Sequence, residues 1–330
     1  MKKLTLIAII LGISLISCKD TTNLLPNVTG KSGEVIVIIE PDLWDSKTGT
    51  LLKDIFTQPY PGLPQNEPLF DLVHIPYASF SNIFKTHRNL IFIKLEEDAH
   101  EAKVVVEKDR WAKPQLIMHV VAPDKQSLEN LLAEKGGVLI DRVIRKEMGR
   151  YRDNYKKYEE LEITGRLAKK FGIKMTVPKG YSIDVDSSDF MWIENRGHGD
   201  LIQGILIFQY PKPNVEVNDF YIAAKRDQFT KKYVPGPNPN TYMVIERELF
   251  PQSRDITINK IKGKELRGLW KVENDFMGGP FVSFTFIEEN SNLVTHIDAF
   301  VYAPQVDKRD YMRQLEAILN TLEKIDEPAN

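Results

Sequence analysis

The sequence predicts an α+β protein, with a mixed α/β N-terminal half followed by an antiparallel sheet with flanking helices in the C-terminal half. Three observations support this class. In the first half, short apolar runs rich in β-branched residues alternate with helical patterns. The second half has longer alternating runs separated by turn residues. An amphipathic helix near the end of the chain is typical of helices that cover one face of a sheet.

The first half begins with a predicted buried strand over 34–40, bounded by Gly33 and Pro41. A helix is predicted to begin near Asp42, and the proline-rich segment 59–64 ends it. The other predicted elements before residue 122 are a short helix around Phe80 and Phe84 and strands at 69–75, 90–95, 103–110 and 115–121.

Two helices are predicted to follow, one from Asp124 to the glycine pair 136–137 and a longer one through Tyr158. Tyr151, Tyr155 and Tyr158 recur at helical spacing on the second helix, and this pattern is typical of packing. The basic run 142–157 is typical of a solvated helix face. The alternative interpretation is a contact with anionic envelope glycans or lipid headgroups.

The second half is predicted to begin near Leu161, where long alternating strands start. The segment 235–240 (PGPNPN) breaks the chain after a helix at 219–232. The final helix is predicted over 308–324, with Asp307 as its N-cap. The predicted strands of this half lie at 173–177, 190–194 and 205–210 and in an antiparallel meander at 264–273, 281–288 and 293–303.

Charge and cysteine content limit the classes of function. The 330 residues include 44 Lys and Arg against 46 Asp and Glu, for a formal net charge of −2. This balance does not favour nucleic-acid binding, and no nucleic-acid partner is predicted. One cysteine excludes an intramolecular disulfide and a metal site built on several thiolates.

The N-terminus resembles a bacterial lipoprotein signal. Lys2 and Lys3 precede an uncharged apolar run over 4–17, and Leu15-Ile16-Ser17-Cys18 is similar to a lipobox. The run is shorter than the roughly 20 residues that span a bilayer. The resemblance implies cleavage before Cys18 and acylation of its thiol. We therefore expect a protein of the cell envelope, located at the outer membrane. The lipid on Cys18 is expected to attach it to that membrane.

These predictions divide the chain into five parts. Residues 1–17 form the signal peptide, and residues 18–33 form the lipidated cysteine with a polar tether. A mixed α/β domain covers 34–160, an antiparallel α+β domain covers 161–326, and 327–330 are a tail. Fifteen tether residues extend to about 50 Å, so the tether is expected to let the folded body stand clear of the lipid.

Catalytic motifs are few. The sequence contains no Gly-rich phosphate loop, HExxH or GxSxG, and we predict no cofactor and no metal. His296 and Asp298 share one face of a predicted strand, because strand side chains alternate. They could support acid/base chemistry or half a metal site. A satisfied pair in the core is the alternative, and it is the commoner meaning of so short a match.

Several segments together resemble a family of Bacteroidetes lipoproteins defined by a domain of unknown function. They are 63–70 (LPQNEPLF), 87–89 (HRN), 268–270 (GLW), 276–281 (FMGGPF) and 300–304 (FVYAP). The resemblance covers the mature chain and implies an envelope lipoprotein, but it does not indicate a biochemical activity. By analogy of fold alone, the C-terminal half resembles the small α+β sheet of the Mog1/PsbP-like group.

The same segments supply candidate contact residues. Glu67 and Arg88 are interpreted either as an internal ion pair or as a recognition pair at a groove. In the second half, a glycine-containing loop with aromatic neighbours could approach a partner closely. The alternative is a tight loop whose aromatic residues cap the sheet. The candidates in this loop are Trp270, Asn274, Phe276, Met277, Gly278 and Gly279.

The sequence predicts a membrane-anchored envelope protein that acts as a binding or assembly accessory, with an envelope protein or glycan as partner. The alternative is an envelope glycan or peptide hydrolase that uses Asp, Glu or His. Glycan hydrolysis needs two carboxyl groups about 5 to 9.5 Å apart, and the sequence does not identify such a pair.

Overall fold

A computed structural model describes residues 24–288 and 292–325. The signal peptide, Cys18 and the tail 327–330 lie outside the described residues. The architecture confirms the α+β class, since a mixed sheet and a large antiparallel sheet are combined with flanking helices. Within the described ranges, no helix is both long and apolar enough to cross a membrane.

The N-terminal half is organised around a five-stranded sheet in the order β2-β1-β3-β5-β4. Its strands are β1 (Glu34–Ile38), β2 (Asp71–Ile75), β3 (Asn89–Leu95), β4 (Lys103–Lys108) and β5 (Leu116–Ala122). Its helices are α1 (Pro41–Trp44), α2 (Lys47–Phe56), α3 (Asn82–Lys85) and α4 (Lys125–Lys157), with a 3-10 turn at Tyr77–Ser79. All neighbouring strands are parallel except β4, which pairs antiparallel with β5.

Strand β1 shows why this sheet is covered on both faces. Val35 and Val37 enter the main core beneath the helices, whereas Ile36 and Ile38 enter a second cluster on the opposite face. Alternate side chains of a strand point to opposite faces, so a continuous apolar run requires cover on both.

Helix α4 runs without interruption through the glycine pair that was predicted to end it. The prediction of two helices was wrong, because a helix tolerates glycine where close packing stabilises it. A Cβ at Gly136 would lie 2.9 Å from Ile55, so this glycine lets helices α2 and α4 approach closely. Asp124 caps the helix, accepting a hydrogen bond from the backbone of Ser127 at 2.8 Å.

The C-terminal half contains an eight-stranded sheet in which strands β10-β12-β13-β14-β9-β8-β7 follow one path and β11 also pairs with β12. The eight strands of this sheet are β7 (Ser182–Ser187), β8 (Phe190–Arg196), β9 (Ile202–Pro211), β10 (Met243–Ile245), β11 (Gln252–Ile258), β12 (Ile261–Val272), β13 (Gly278–Glu288) and β14 (Leu293–Tyr302). Two further short strands, β6 (Ile173–Lys174) and β15 (Glu323–Lys324), pair with each other in a separate two-stranded sheet. The helices of this half are α5 (Leu161–Phe171), α6 (Asp219–Tyr233) and α7 (Arg309–Leu319). The ladders β12·β13 and β13·β14 confirm the predicted meander.

The large sheet separates two cores. Phe284 belongs to the main core, which also contains residues of β1 and so joins the two halves of the protein. Phe281 faces the other way and packs with Phe229 of α6 in a separate cluster. The final helix lies on the main-core face, and Leu315 and Ile318 are fully buried there.

The segment predicted as a tether is shorter than expected. The carbonyl oxygen of Pro26 accepts a hydrogen bond from the backbone of Lys113 at 2.8 Å, and Thr29 exchanges backbone hydrogen bonds with Thr86 and Arg88. Residues 26–33 are therefore held against the first sheet. The prediction of a tether over these residues was wrong, because their backbone groups find hydrogen-bond partners that a sequence pattern does not reveal.

Candidate functional site

The carboxylate of Glu67 caps the N-terminal end of a helix that is remote in sequence and whose N-cap residue is Lys308. Its carboxylate oxygens accept hydrogen bonds from the backbone of Lys308 at 2.8 Å and of Arg309 at 2.7 Å. The prediction that Asp307 caps α7 was therefore wrong, and a carboxylate from the other half of the chain accepts these hydrogen bonds instead. Glu67 is buried and joins the two halves of the protein.

Arg88 does not pair with Glu67, and the predicted ion pair was wrong. Its Nη2 lies 2.7 Å from the carboxylate of Glu147 on α4. Glu147 is fully buried and also accepts hydrogen bonds from Asn89 at 2.7 Å and Arg150 at 2.6 Å. The segment 87–89 thus anchors α4 to the first sheet, and most of its polar side-chain groups make structural contacts, whereas the buried Nε of Arg88 has no hydrogen-bond partner among the described residues.

The base of the glycine-containing loop at 274–280 is buried. Trp270 is 3% exposed, donates a hydrogen bond from Nε1 to the carbonyl oxygen of Val301 at 3.3 Å, and meets Phe300 edge to face. A Cβ at Gly279 would lie 2.0 Å from that same carbonyl oxygen, and one at Gly278 would lie 2.8 Å from the carbonyl oxygen of Trp270. These glycines permit close strand packing, and Trp270 is part of the core.

The tip of this loop is exposed. Asn274 adopts a left-handed backbone with φ of 62°, and the carboxylate of Asp275 accepts hydrogen bonds from the backbone of Phe276 at 2.7 Å and Met277 at 3.2 Å. Met277 packs against the hydrophobic cluster that contains Phe229 and Phe281, whereas Phe276 is fully exposed. Of the aromatic candidates here, Phe276 alone is presented to solvent.

His296 and Asp298 lie in the core between the large sheet and α6. Asp298 binds the guanidinium of Arg226 through two contacts, of 2.7 and 3.2 Å, and all three side chains are buried. Nδ1 of His296 lies 2.7 Å from the hydroxyl of Thr285, while its Nε2 lies 3.9 Å from Asp298.

The electrostatics of this cluster follow from burial. Burial lowers the pKa of His296, so its neutral form is favoured. Burial opposes ionisation of Asp298, but the charge of Arg226 and the hydrogen bonds from His296 and Arg226 together outweigh it, so the pKa of Asp298 is lowered. The cluster is enclosed by apolar side chains, so solvent and substrate do not reach it. Among the described residues, no group of three or more His, Cys, Asp or Glu side chains could hold a metal ion.

A groove of about 400 Å³ lies where the end of α4 meets the large sheet. Hydrogen bonds fix its rim, because the backbone of Lys179 donates to Tyr158 at 2.7 Å and that of Glu160 donates to Val177 at 2.8 Å. We call it the amide–tyrosine groove. Its lining consists of Asn154, Tyr155, Tyr158, Pro178, Lys179, Tyr181, Asn195, Gln203 and Gln314.

Most hydrogen-bonding groups in this groove are free. In the described part of the chain, the side-chain amides of Asn154 and Asn195 and the hydroxyl groups of Tyr158 and Tyr181 make no side-chain hydrogen bond. Three other lining residues have partners, since Gln203 donates from Nε2 to Gln314 at 3.2 Å and the hydroxyl of Tyr155 donates to the carbonyl oxygen of Gln314 at 3.4 Å. Burial raises the pKa of Tyr181 above its usual range, so its hydroxyl stays neutral and able to donate.

A wider groove of about 690 Å³ lies beside the N-terminal end of α6. Its polar lining is cationic, with Lys212, Lys262 and Lys264, and Lys264 is already ion-paired with Asp219 and Asp255. The amide–tyrosine groove therefore offers more unoccupied hydrogen-bonding capacity.

Little in the amino-acid sequence indicates the amide–tyrosine groove. Tyr155 and Tyr158 were noted for their helical spacing and interpreted as packing. The amides at 154, 195, 203 and 314 are far apart in sequence and belong to no motif. The packing of α4 against α7, and of α7 against the large sheet, brings them together.

Three solved structures are similar to parts of this chain. A protein of Bacteroides thetaiotaomicron VPI-5482 is 13% identical with a TM-score of 0.26, and the match covers 47% of this chain and 46% of that chain, about half its length. The Ran-binding protein Mog1p of Saccharomyces cerevisiae is 8% identical with a TM-score of 0.33, covering 47% and 91%. LpqN of Mycobacterium tuberculosis, involved in cell envelope biogenesis, is 14% identical with a TM-score of 0.28, covering 46% and 81%.

Comparison with curated proteins found no match. Two family models match the chain. Residues 28–156 match the Domain of unknown function DUF8532, and residues 160–321 match the Domain of unknown function DUF4837. These matches confirm the prediction of a domain family without an assigned activity. The chain therefore contains two domains of unknown function, DUF8532 followed by DUF4837.

Proposed function

We propose that this protein is a lipid-anchored accessory of the bacterial cell envelope that binds a neutral glycan in the amide–tyrosine groove. The lipid is attached at Cys18, whose sequence context resembles a lipobox. The folded body acts by binding, and its ligand is an uncharged, polyhydroxylated chain that carries amide groups.

One observation carries the glycan assignment: four of the polar side chains that line the groove, Asn154, Tyr158, Tyr181 and Asn195, have no side-chain hydrogen-bond partner among the described residues. Asn and Gln side chains each offer donors and acceptors, which suits hydroxyl and acetamido groups. Tyrosine adds an apolar ring face with a polar tip, which suits a sugar that has one apolar face. The volume of about 400 Å³ lies within the range of small-molecule sites.

The charges of the groove favour a neutral ligand and binding over hydrolysis. Lys179 is the single charged side chain among its lining residues. Hydrolysis of a glycosidic bond needs two carboxyl groups at the bond, and this lining contains no Asp, Glu or His. His296 and Asp298, the pair considered for acid/base chemistry, are enclosed in a different core.

The glycan assignment is tested by isothermal titration with chitohexaose, a soluble neutral oligomer of N-acetylglucosamine. We expect saturable binding that Tyr158→Ala weakens about two- to tenfold, as loss of one aromatic contact implies. Tyr242→Ala is the matched control, because both tyrosines carry a lysine over the ring and Tyr242 lies outside the groove. Absence of binding, or equal weakening by both variants, would contradict the proposal.

The anchor is tested separately by intact mass spectrometry of the protein extracted from membranes. We expect a chain that begins at Cys18 and carries acyl groups. A chain that retains Met1, or one that lacks acyl mass, would contradict the anchor and leave the groove assignment standing.

A further inference from the structure

The outer face of the first sheet carries an aromatic cluster close to the point where the described chain begins. Trp111 lies 6.0 Å from Phe80 and 6.4 Å from Phe92, measured between ring centroids, and Phe80 lies 6.5 Å from Phe84. Short segments rather than a long helix cover this face, which contains the smallest of the three core clusters. Trp111 and Phe84 are therefore only partly buried.

Large apolar side chains beside this cluster are exposed to solvent. Ile83, next to Phe84 on α3, is 75% exposed. Leu24 is 90% exposed and lies two residues before Pro26, whose carbonyl oxygen is bonded to the backbone of Lys113. We call Leu24, Ile83, Phe84, Lys85, Trp111 and Lys113 the Trp111 patch.

Cations border the apolar side chains of the patch. The ammonium of Lys85 lies 6.0 Å from the Trp111 ring centroid, and the guanidinium of Arg110 lies 4.6 Å from it. Among the described residues, neither Lys85 nor Lys113 has a carboxylate partner. Partly exposed aromatic and aliphatic side chains beside unpaired lysines match the interface of a bilayer that contains anionic lipid.

Chain length places this patch close to the proposed lipid. Pro26 is fixed on the body, and eight residue steps separate it from Cys18. Even fully extended, these steps span at most about 29 Å. The body is thus held near the membrane by the end that carries the Trp111 patch.

We propose that the Trp111 patch docks onto the bilayer surface, with the ring of Trp111 at the headgroup level and Lys85 and Lys113 facing anionic headgroups. This inference rests on the proposed anchor at Cys18. Docking would fix the orientation of the body and turn the second half away from the lipid, so that the protein has a membrane-facing end and a free end.

The test uses the full-length acylated protein in vesicles of phosphatidylethanolamine and phosphatidylglycerol with brominated acyl chains, which quench nearby tryptophan emission. The chain has four tryptophans. We expect brominated lipid to reduce the emission of the wild-type protein. Trp111→Phe should abolish that loss, and Trp192→Phe, a matched change in the second half, should retain it.

A second variant tests the docking independently of any folding defect that Trp111→Phe causes. Lys85→Glu with Lys113→Glu changes two side chains without ionic partners and should reduce the quenching while the far-ultraviolet circular dichroism stays unchanged. If the acylated protein binds vesicles and Trp111→Phe is quenched as strongly as the wild type, docking is refuted and the anchor stands. If Cys18 carries no acyl group, the anchor is refuted and the docking with it.

Discussion

Two sets of side-chain amides behave differently in this protein. Asn89 begins β3 and Gln115 directly precedes β5 in the first sheet, and every polar atom of their amides is bonded. The amide of Asn89 bonds Glu34, Glu147 and Arg150, and that of Gln115 bonds Lys85, His87 and Trp111. Asn154 and Asn195 line the amide–tyrosine groove, and their amides have no partner within the described chain. The same chemical group is structural in one region and available for a ligand in the other.

The difference shows how a structural polar residue is told from a binding residue when no motif is present. A buried polar group without a partner costs about 1 to 3 kcal/mol, so those in the interior acquire partners. A group at a groove is solvated instead and can exchange water for a ligand. The signature segments around Glu67 and Arg88 fall into the first class, although the sequence suggested either role.

The largest effect is expected at the buried ion pair of the second half. Arg226→Met would leave Asp298 charged and unpaired in the core, and we expect a loss of about 3 to 5 kcal/mol in the free energy of unfolding, measured with urea. In the double variant Arg226→Met with Asp298→Asn no buried charge remains, so it should recover part of that loss. Equal loss in both variants would show that the packing of Arg226 on Phe281, not its charge, matters.

The second largest effect on the free energy of unfolding is expected from substitution of Glu67. Glu67→Ala leaves the backbone of Lys308 and Arg309 without acceptors at a buried helix end, so we expect a loss of about 2 to 3 kcal/mol. Glu67→Gln keeps one acceptor oxygen and should lose less. If Glu67→Ala unfolds at the wild-type urea midpoint, the carboxylate does not stabilise the helix end, and the recognition role considered from the sequence would be favoured instead.

Stability should also decline in mild acid. Burial lowers the pKa values of His87 and His296 in the folded state, below the unfolded value of about 6.5. The unfolded chain therefore binds more protons, and the free energy of unfolding should fall as pH drops below about 6.5. Each histidine contributes at most about 1.4 kcal/mol per pH unit. His296→Gln should flatten the decline measured between pH 7 and 5, and an unchanged slope would mean that His296 does not titrate differently on folding.

The smallest effects on stability are expected at the groove and at the loop tip. Asn195→Ala and Phe276→Ala remove side chains that make no side-chain hydrogen bond, so the free energy of unfolding should change by less than about 0.5 kcal/mol. Asn195→Ala should nonetheless weaken chitohexaose binding, and Phe276→Ala should leave it unchanged because Phe276 lies outside the groove. A large loss of stability in Asn195→Ala would place this amide with the structural set.

Much of the fold could be predicted, because the spacing of apolar residues along the chain follows the burial of their side chains. The strand at 34–40 and the meander after residue 260 were recognised from apolar runs, and both are present as β1 and β12 to β14. Helix α5 and strands β7, β10, β11 and β15 were missed. Strand β11 is largely exposed and polar, so it carries no apolar alternation, and its pairing with β12 alone defines it.

The sites could be predicted less well, because they depend on contacts between distant segments. Nothing near Glu67 in sequence indicates that it caps a helix more than 240 residues later. The groove likewise needs Asn154, Asn195 and Gln314 to meet across elements that pack only in the folded protein. Local patterns identify elements and turns, whereas the partner of a side chain is a property of the tertiary structure.

The contrast between the two sets of amides can be measured directly by nuclear magnetic resonance of the side-chain NH₂ groups of asparagine and glutamine during titration with chitohexaose. We predict that the signals of Asn154 and Asn195 shift and saturate with the ligand, while those of Asn89 and Gln115 keep their positions. Shifts of Asn89 and Gln115 equal to those of the groove amides, or no shift at Asn154 and Asn195, would contradict the assignment of the groove as the binding site.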